Sequence, residues 1–161
     1  MALSGGGNNN SYKLETVEAE VEIKSNADKL YKVFSNQHHA FPKASSDHVH
    51  DVVVHEGDWE TSGSIKLWTY TADGNVEIFK EKVEIDEANK WVSFTALEGH
   101  VLEQYRSYKI IFQVTPKSGG GGLVKITIHY GKLNDNDPPP HKYLRFAINV
   151  VHDMDAHLLK E

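Results

Sequence analysis

PPHKYLRFAINVVHDMDAHLLKE, running from Pro139 to Glu161, reads as one long amphipathic helix. At about 100° per residue, Tyr143, Leu144, Phe146, Ala147, Ile148, Val150, Val151, Met154 and Leu158 cover roughly 200° of its circumference. Arg145, Asn149, His152, Asp153 and Lys160 hold the opposite side. An apolar face this wide needs a broad apolar surface to lie against. Asp137 is placed to cap the helix start, and Pro138 to Pro140 are tolerated there because first-turn N–H groups have no intrahelical partner. What precedes Asp137 must supply the surface, and it reads mainly as strands.

Tyr12 to Lys24 alternates, with Val17, Ala19, Val21 and Ile23 on one face of a half-buried strand. Ser25 or Asn26 can cap a short helix carrying Leu30, Val33 and Phe34, and a second short helical stretch ends at Phe41 before Pro42. Strands then follow at His48–His55, Ser64–Thr71, Asn75–Ile85, Lys90–Leu97, Leu102–Thr115 and Leu123–Leu133. Asp73-Gly74 and Glu98-Gly99 make tight turns, and Ser118 to Gly122 a flexible one. Strands so regularly spaced form an antiparallel meander, giving an α+β order of β-α-α-β-β-β-β-β-β-α. Residues 1–11, rich in glycine and asparagine, are expected to be a disordered tail before a single domain at 12–161.

With 161 residues, 39% hydrophobic and 25% charged, the chain has an ordinary globular composition. Its net charge of −6 comes from 17 basic and 23 acidic residues, and the basic ones are scattered. Nucleic acid is therefore a poor partner, since phosphate binding needs a concentrated positive patch. The absence of cysteine removes disulfide and thiolate chemistry. Met1 to Asn10 lacks the basic start and apolar core of a signal peptide, and no apolar run approaches the ~20 residues of a membrane span. A cytoplasmic protein with no integral membrane association is expected, as a monomer or weak dimer.

Alternation assigns the inward side chains. Trp68, Tyr70, Val76, Ile78, Phe94, Tyr108, Ile110, Phe112, Ile128 and Tyr130 share the inner phase, faced by Leu144, Ala147, Ile148 and Val151. Between Ile78 and Phe79 the apolar phase slips by one residue, as at a bulge. Taken alone the set describes a packed core, although buried tyrosine hydroxyls and an indole want partners that a ligand or trapped water could supply. Lys66, Glu81 and Arg106 fall on the same inward phase. Buried charges are costly unless paired, so these either pair with each other, lie near water, or anchor a ligand's carboxylate or hydroxyl.

The ten histidines invite a metal site. His48 and His50 share a strand face, yet no third ligand stands at a diagnostic spacing, and His152 and His157 are wrongly spaced for one helix face. Solvated histidines, no metal and no cofactor are expected. An enzyme would need Lys66, Glu81 or Tyr108 to move protons, with burial tuning their pKa values.

His55-Glu56-Gly57-Asp58-Trp59, Ser62-Gly63-Ser64-Ile65, Leu97-Glu98-Gly99, Val114-Thr115-Pro116-Lys117 and Ile128-His129-Tyr130, in this order before the C-terminal helix, resemble the plant major latex proteins. These belong to the birch-pollen-allergen and pathogenesis-related class-10 superfamily, which is START-like. The resemblance spans Tyr12 to Glu161 and implies a helix-grip fold: a seven-stranded antiparallel sheet wrapped round the long helix, two short helices, and a large internal hydrophobic cavity between them. It also implies binding of a small hydrophobic ligand such as a hormone, flavonoid, alkaloid or fatty acid, linked to defence and stress. A cavity enzyme of specialised metabolism, isomerase- or condensation-type, is the alternative. Two departures bear on function. Asp58, Trp59 and Glu60 make Gly57 to Gly63 an acidic, bulky loop rather than a phosphate cradle, and the serine-glycine-leucine-proline gate of hormone receptors is absent. Ile110 to Val114 lacks the cavity lysine of the amine-condensing relatives. Trp59 is expected to be either a lid residue of that loop or a permanent plug.

Overall fold

The computed structural model describes residues 13–161; the expected tail at 1–11 lies outside them. Seven strands are present: β1 (Leu14–Ile23), β2 (Val49–Glu56), β3 (Ile65–Ala72), β4 (Asn75–Asp86), β5 (Trp91–Gly99), β6 (Tyr105–Pro116) and β7 (Gly122–Lys132). The helices are α1 (Ala27–Asn36), α2 (Phe41–Ala44) and α3 (His141–Leu159). The strands form one antiparallel sheet in the order β1-β7-β6-β5-β4-β3-β2. Because β1 pairs with β7, the first two strands end on opposite edges, and α1, a 3-10 turn at His38–Ala40 and α2 carry the chain between them. α3 touches β1 and β7 on one flank and β3 on the other, so the sheet must curve round it.

Local chemistry sets the helix ends. Asn26 Oδ1 accepts the Lys29 N–H at 3.0 Å and starts α1, which buries Leu30, Val33 and Phe34. The expected Asp137 cap on α3 does not form: its carboxylate accepts from the Asn134 N–H at 3.0 Å and closes the preceding loop. Three prolines separate Asp137 from the first helical turn, so α3 begins uncapped after Pro140, whose carbonyl accepts from Tyr143 and Leu144.

Three strand expectations need correction. β6 starts at Tyr105 rather than Leu102, because residues His100–Glu103 form a 3-10 turn. That turn follows Gly99 at φ 130°, where a Cβ would stand 2.4 Å from the Ile78 carbonyl oxygen, so only glycine fits. Second, β4 has no slip. Its register with β3 runs unbroken, and the irregularity lies in β5, where Lys80 pairs with Glu98 and Glu81 with Ala96, leaving Leu97 as the extra residue. The inner face of β4 is thus Glu77, Phe79, Glu81 and Val83, while Val76 and Ile78 lie outside, Ile78 45% exposed. Third, the β6–β7 register skips Arg106 between Tyr105 and Ser107, which turns that side chain to the exposed face.

Candidate ligand cavity

Between α3 and the sheet lies an apolar cavity of about 90 Å³, lined by Phe34, Phe41, Val49, Trp68, Tyr70, Phe79, Phe94, Val101, Tyr108, Ile110, Phe112, Tyr143, Phe146, Ala147 and Val150. Its floor is set by the β3–β4 ladder. Three inward rungs follow one another there: Lys66 opposite Glu81, Trp68 opposite Phe79, and Tyr70 opposite Glu77. The aromatic rung carries the cavity, and a polar cluster stands at each end. At about 90 Å³ the space is well below the roughly 300–1,000 Å³ of drug-sized pockets, so a fused-ring ligand must push rings aside. Trp68, Phe79 and Phe146 are half-buried and best placed to move.

At one end Glu77, 5% exposed, accepts hydrogen bonds from the Tyr70 hydroxyl at 2.8 Å, the Tyr143 hydroxyl at 2.7 Å and Lys142 Nζ at 2.7 Å. Burial alone would raise its pKa, but Lys142, Tyr143 and Tyr70 together hold it below the usual carboxylate value. Glu77 is therefore an ionised carboxylate beside an aromatic cavity. The tyrosines it binds are pushed up, chiefly by burial.

At the other end Lys66 is 1% exposed and Glu81 fully buried. Lys66 Nζ donates to His38 Nδ1 at 2.7 Å and to the Trp59 carbonyl at 3.0 Å, and Trp68 Nε1–H donates to Glu81 Oε1 at 2.6 Å. Burial, with the Lys66 charge, drives the His38 pKa down to about 3. The ring is neutral at pH 7: Nε2–H donates to the Phe34 carbonyl and Nδ1 accepts from Lys66. Burial also lowers Lys66 to about 8 and raises Glu81 to about 8. Glu81 is thus protonated at neutral pH, and its Oε2 is buried with no partner among the described residues. His38 overturns the expectation that the histidines are solvated. Among the described residues no three His, Cys, Asp or Glu side chains converge as metal ligands.

The Gly57 to Gly63 loop is folded on itself. Asp58 accepts from the N–H groups of Glu60 and Thr61 and from the Thr61 hydroxyl, so these donors are spent internally and do not face an anion. Trp59 packs edge-on against His39 at 5.5 Å between ring centroids and does not line the cavity.

Known proteins assign the family. The profile described as "Pathogenesis-related protein Bet v 1 family" matches residues 13–161. The chain belongs to the Bet v 1 family. Within that family it is 44% identical over 145 residues to MLP-like protein 328 of Arabidopsis thaliana, covering 90% of this chain and 96% of the relative. The crystal structure of major latex-like protein 151 from Panax ginseng superposes with a TM-score of 0.86 at 33% identity, covering 91% of this chain and 98% of that one. Norcoclaurine synthase from Thalictrum flavum superposes with a TM-score of 0.71 at 16% identity, covering 100% of this chain and 98% of that one, a likeness of fold alone.

Of the side chains that alternation placed in this Bet v 1 cavity, Trp68, Tyr70, Phe94, Tyr108, Ile110, Phe112 and Ala147 line it. Ile78 does not, being on the outer face of β4 because Glu77 takes the inner one. Lys66 lies at the end of the cavity, held by His38 and the Trp59 carbonyl, rather than in its wall. Ile128, Tyr130, Leu144, Ile148 and Val151 are packed elsewhere in the core. Leu144, Ile148 and Val151 share a helix stripe with Asp155, which accepts from the backbone N–H groups of Lys24 and Ser25 at the end of β1. That stripe therefore faces β1. Tyr143, Ala147 and Val150, one residue earlier at the same spacings, face the cavity instead, together with Phe146, which packs on Tyr70 at 5.0 Å. Alternation also missed Phe34, Phe41, Val49, Phe79 and Val101. The apolar faces of the short helices were the available signal for Phe34 and Phe41.

Proposed function

We propose that this chain binds a small, mostly apolar, ring-bearing molecule in the cavity beneath α3, and that binding serves defence or stress responses in the plant cytoplasm. The observation that carries this reading is a cavity walled by six phenylalanines, three tyrosines and a tryptophan within a ligand-binding fold. Stacked and edge-on rings suit a planar hydrophobe better than a flexible chain. Native mass spectrometry of protein purified from its own tissue tests the reading directly. One small organic molecule per chain is expected, released on denaturation. A chain that carries none, and that also leaves the fluorescence of the neutral dye Nile red unchanged, would overturn it.

Lys66 and Glu81 favour a second reading, a cavity enzyme of isomerase or condensation type. Both have pKa values at about 8 on adjacent strands, matched to proton transfer near neutral pH. Under it, substrate turnover would exceed one equivalent and fall in Lys66→Ala, Glu81→Ala or Tyr108→Phe. Stoichiometric binding without turnover rules for the carrier.

A further inference from the structure

Three tyrosines line the cavity, and their hydroxyls are not equivalent. Those of Tyr70 and Tyr143 are committed to Glu77. Tyr108 is 6% exposed, with its ring held edge-on by Phe79 at 5.8 Å and by Tyr143 at 5.7 Å, and its hydroxyl has no hydrogen-bond partner among the described residues. A donor on the wall of an apolar cavity is poorly hydrated, so a ligand atom that accepts from it gains more than the same contact in water. Glu77 sits across Tyr143 from this hydroxyl and carries a full negative charge. Cations at the cavity's two ends are already engaged: Lys142 with Glu77, and Lys66 with His38 and the Trp59 carbonyl.

Resting on the cavity-binding reading, we infer that Tyr108 and Glu77 make the cavity selective for neutral molecules that present one hydrogen-bond acceptor, a ketone, ester or ether oxygen, and make it reject carboxylates and other anions. Among the described side chains that line the cavity, Tyr108 supplies the one uncommitted donor, and Glu81, at the far end, is not part of the wall. Glu77 holds Lys142 in an ion pair at 2.7 Å and leaves it unavailable as a counter-ion, so a ligand carboxylate would lose its water without gaining a partner of opposite charge. Free fatty acids and other acidic hydrophobes are thereby disfavoured relative to their neutral counterparts of the same shape.

Three naphthalenes of similar size separate the contributions: acetonaphthone with a ketone acceptor, ethylnaphthalene with none, and naphthoate with an ionised carboxylate. Each is titrated into the full chain by displacement of Nile red at neutral pH. Acetonaphthone is expected to bind about fivefold or more tighter than ethylnaphthalene, and naphthoate at least about tenfold weaker than acetonaphthone. Tyr108→Phe, which keeps the ring, should erase the gap between ketone and hydrocarbon while leaving ethylnaphthalene unchanged. Glu77→Gln should narrow the gap between ketone and carboxylate. If Glu77→Gln does not fold, the wild-type comparison still decides. Naphthoate binding as tightly as acetonaphthone, or a ketone advantage that survives in Tyr108→Phe, overturns the inference while leaving the cavity reading intact. Failure of all three probes to displace the dye removes the cavity reading and the inference with it.

Discussion

Replacing Glu81 by glutamine should make the protein more stable at pH 8 than the wild type, by an amount that shrinks as the pH falls. Glu81 is fully buried, and burial lifts its pKa from 4.5 to about 8, against the opposing Trp68 hydrogen bond and Lys66 charge. With the folded value above the unfolded one, the folded chain binds more protons than the unfolded chain between those two pH values. Stability therefore falls with rising pH across that window. Every tenfold change in proton affinity corresponds to about 1.4 kcal/mol, and relaxation of the site would absorb part of the total, leaving about 2–4 kcal/mol between pH 5 and pH 8. His38, lowered from 6.5 to about 3, gives the opposite slope between those two values, and Lys66, lowered to about 8, gives it above pH 8. Both remain in Glu81→Gln, so the difference between the two proteins from pH 5 to pH 8 reports Glu81 together with its charge coupling to Lys66. Glutamine keeps an oxygen for the Trp68 N–H and resembles the protonated acid in shape. Urea denaturation followed by tryptophan fluorescence at the two pH values measures the difference directly. A stability gap that does not change with pH would refute the assignment of Glu81 as a neutral acid in the folded state.

Two further outcomes test the frame around the cavity. Asp155→Ala leaves the Lys24 and Ser25 N–H groups without their acceptor and is expected to lower stability by about 2–4 kcal/mol in the same denaturation assay, with Asp155→Asn losing about half as much. Trp59→Ala keeps the backbone carbonyl that accepts from Lys66, so it should leave Tm within about 5 °C while speeding Nile red uptake and release in stopped-flow measurements. Unchanged rates with a large drop in Tm would make Trp59 a structural plug.

Element identity was legible because each element advertises its own period. The wide apolar face of residues 139–161 demands a helix, and Asn26 ahead of Leu30, Val33 and Phe34 marks α1 by its cap. The rotation of α3 was not legible for the same reason that its existence was. An apolar arc of roughly 200° contains both the stripe that meets β1 and the stripe that meets the cavity, and nothing in hydrophobicity distinguishes them. Asp155 does distinguish them, but only once its acceptor role for Lys24 and Ser25 is known, and those partners lie 131 and 130 residues away.

β4 shows the limit most sharply. Val-Glu-Ile over residues 76–78 says that Val76 and Ile78 go inside and Glu77 outside, and the fold does the reverse. An inward carboxylate is tolerable only when its lost hydration is replaced, and here three donors replace it: one from the neighbouring strand β3 and two from α3, which is 65 and 66 residues away. Alternation treats polar residues as outward by default, so it cannot see a polar group whose partners come from distant parts of the chain. The same holds for Lys66 and Glu81, whose inward phase was readable but whose partners His38, Trp59 and Trp68 were not. The apolar rung of Trp68 and Phe79 keeps the strict period, while on β3 and β4 the residues that alternation misplaced or left unexplained gather at the two ends of the cavity. That is where selectivity has to be built, because an apolar wall discriminates molecules by shape alone, and only inward polar groups at its ends can sort them by charge and hydrogen bonding.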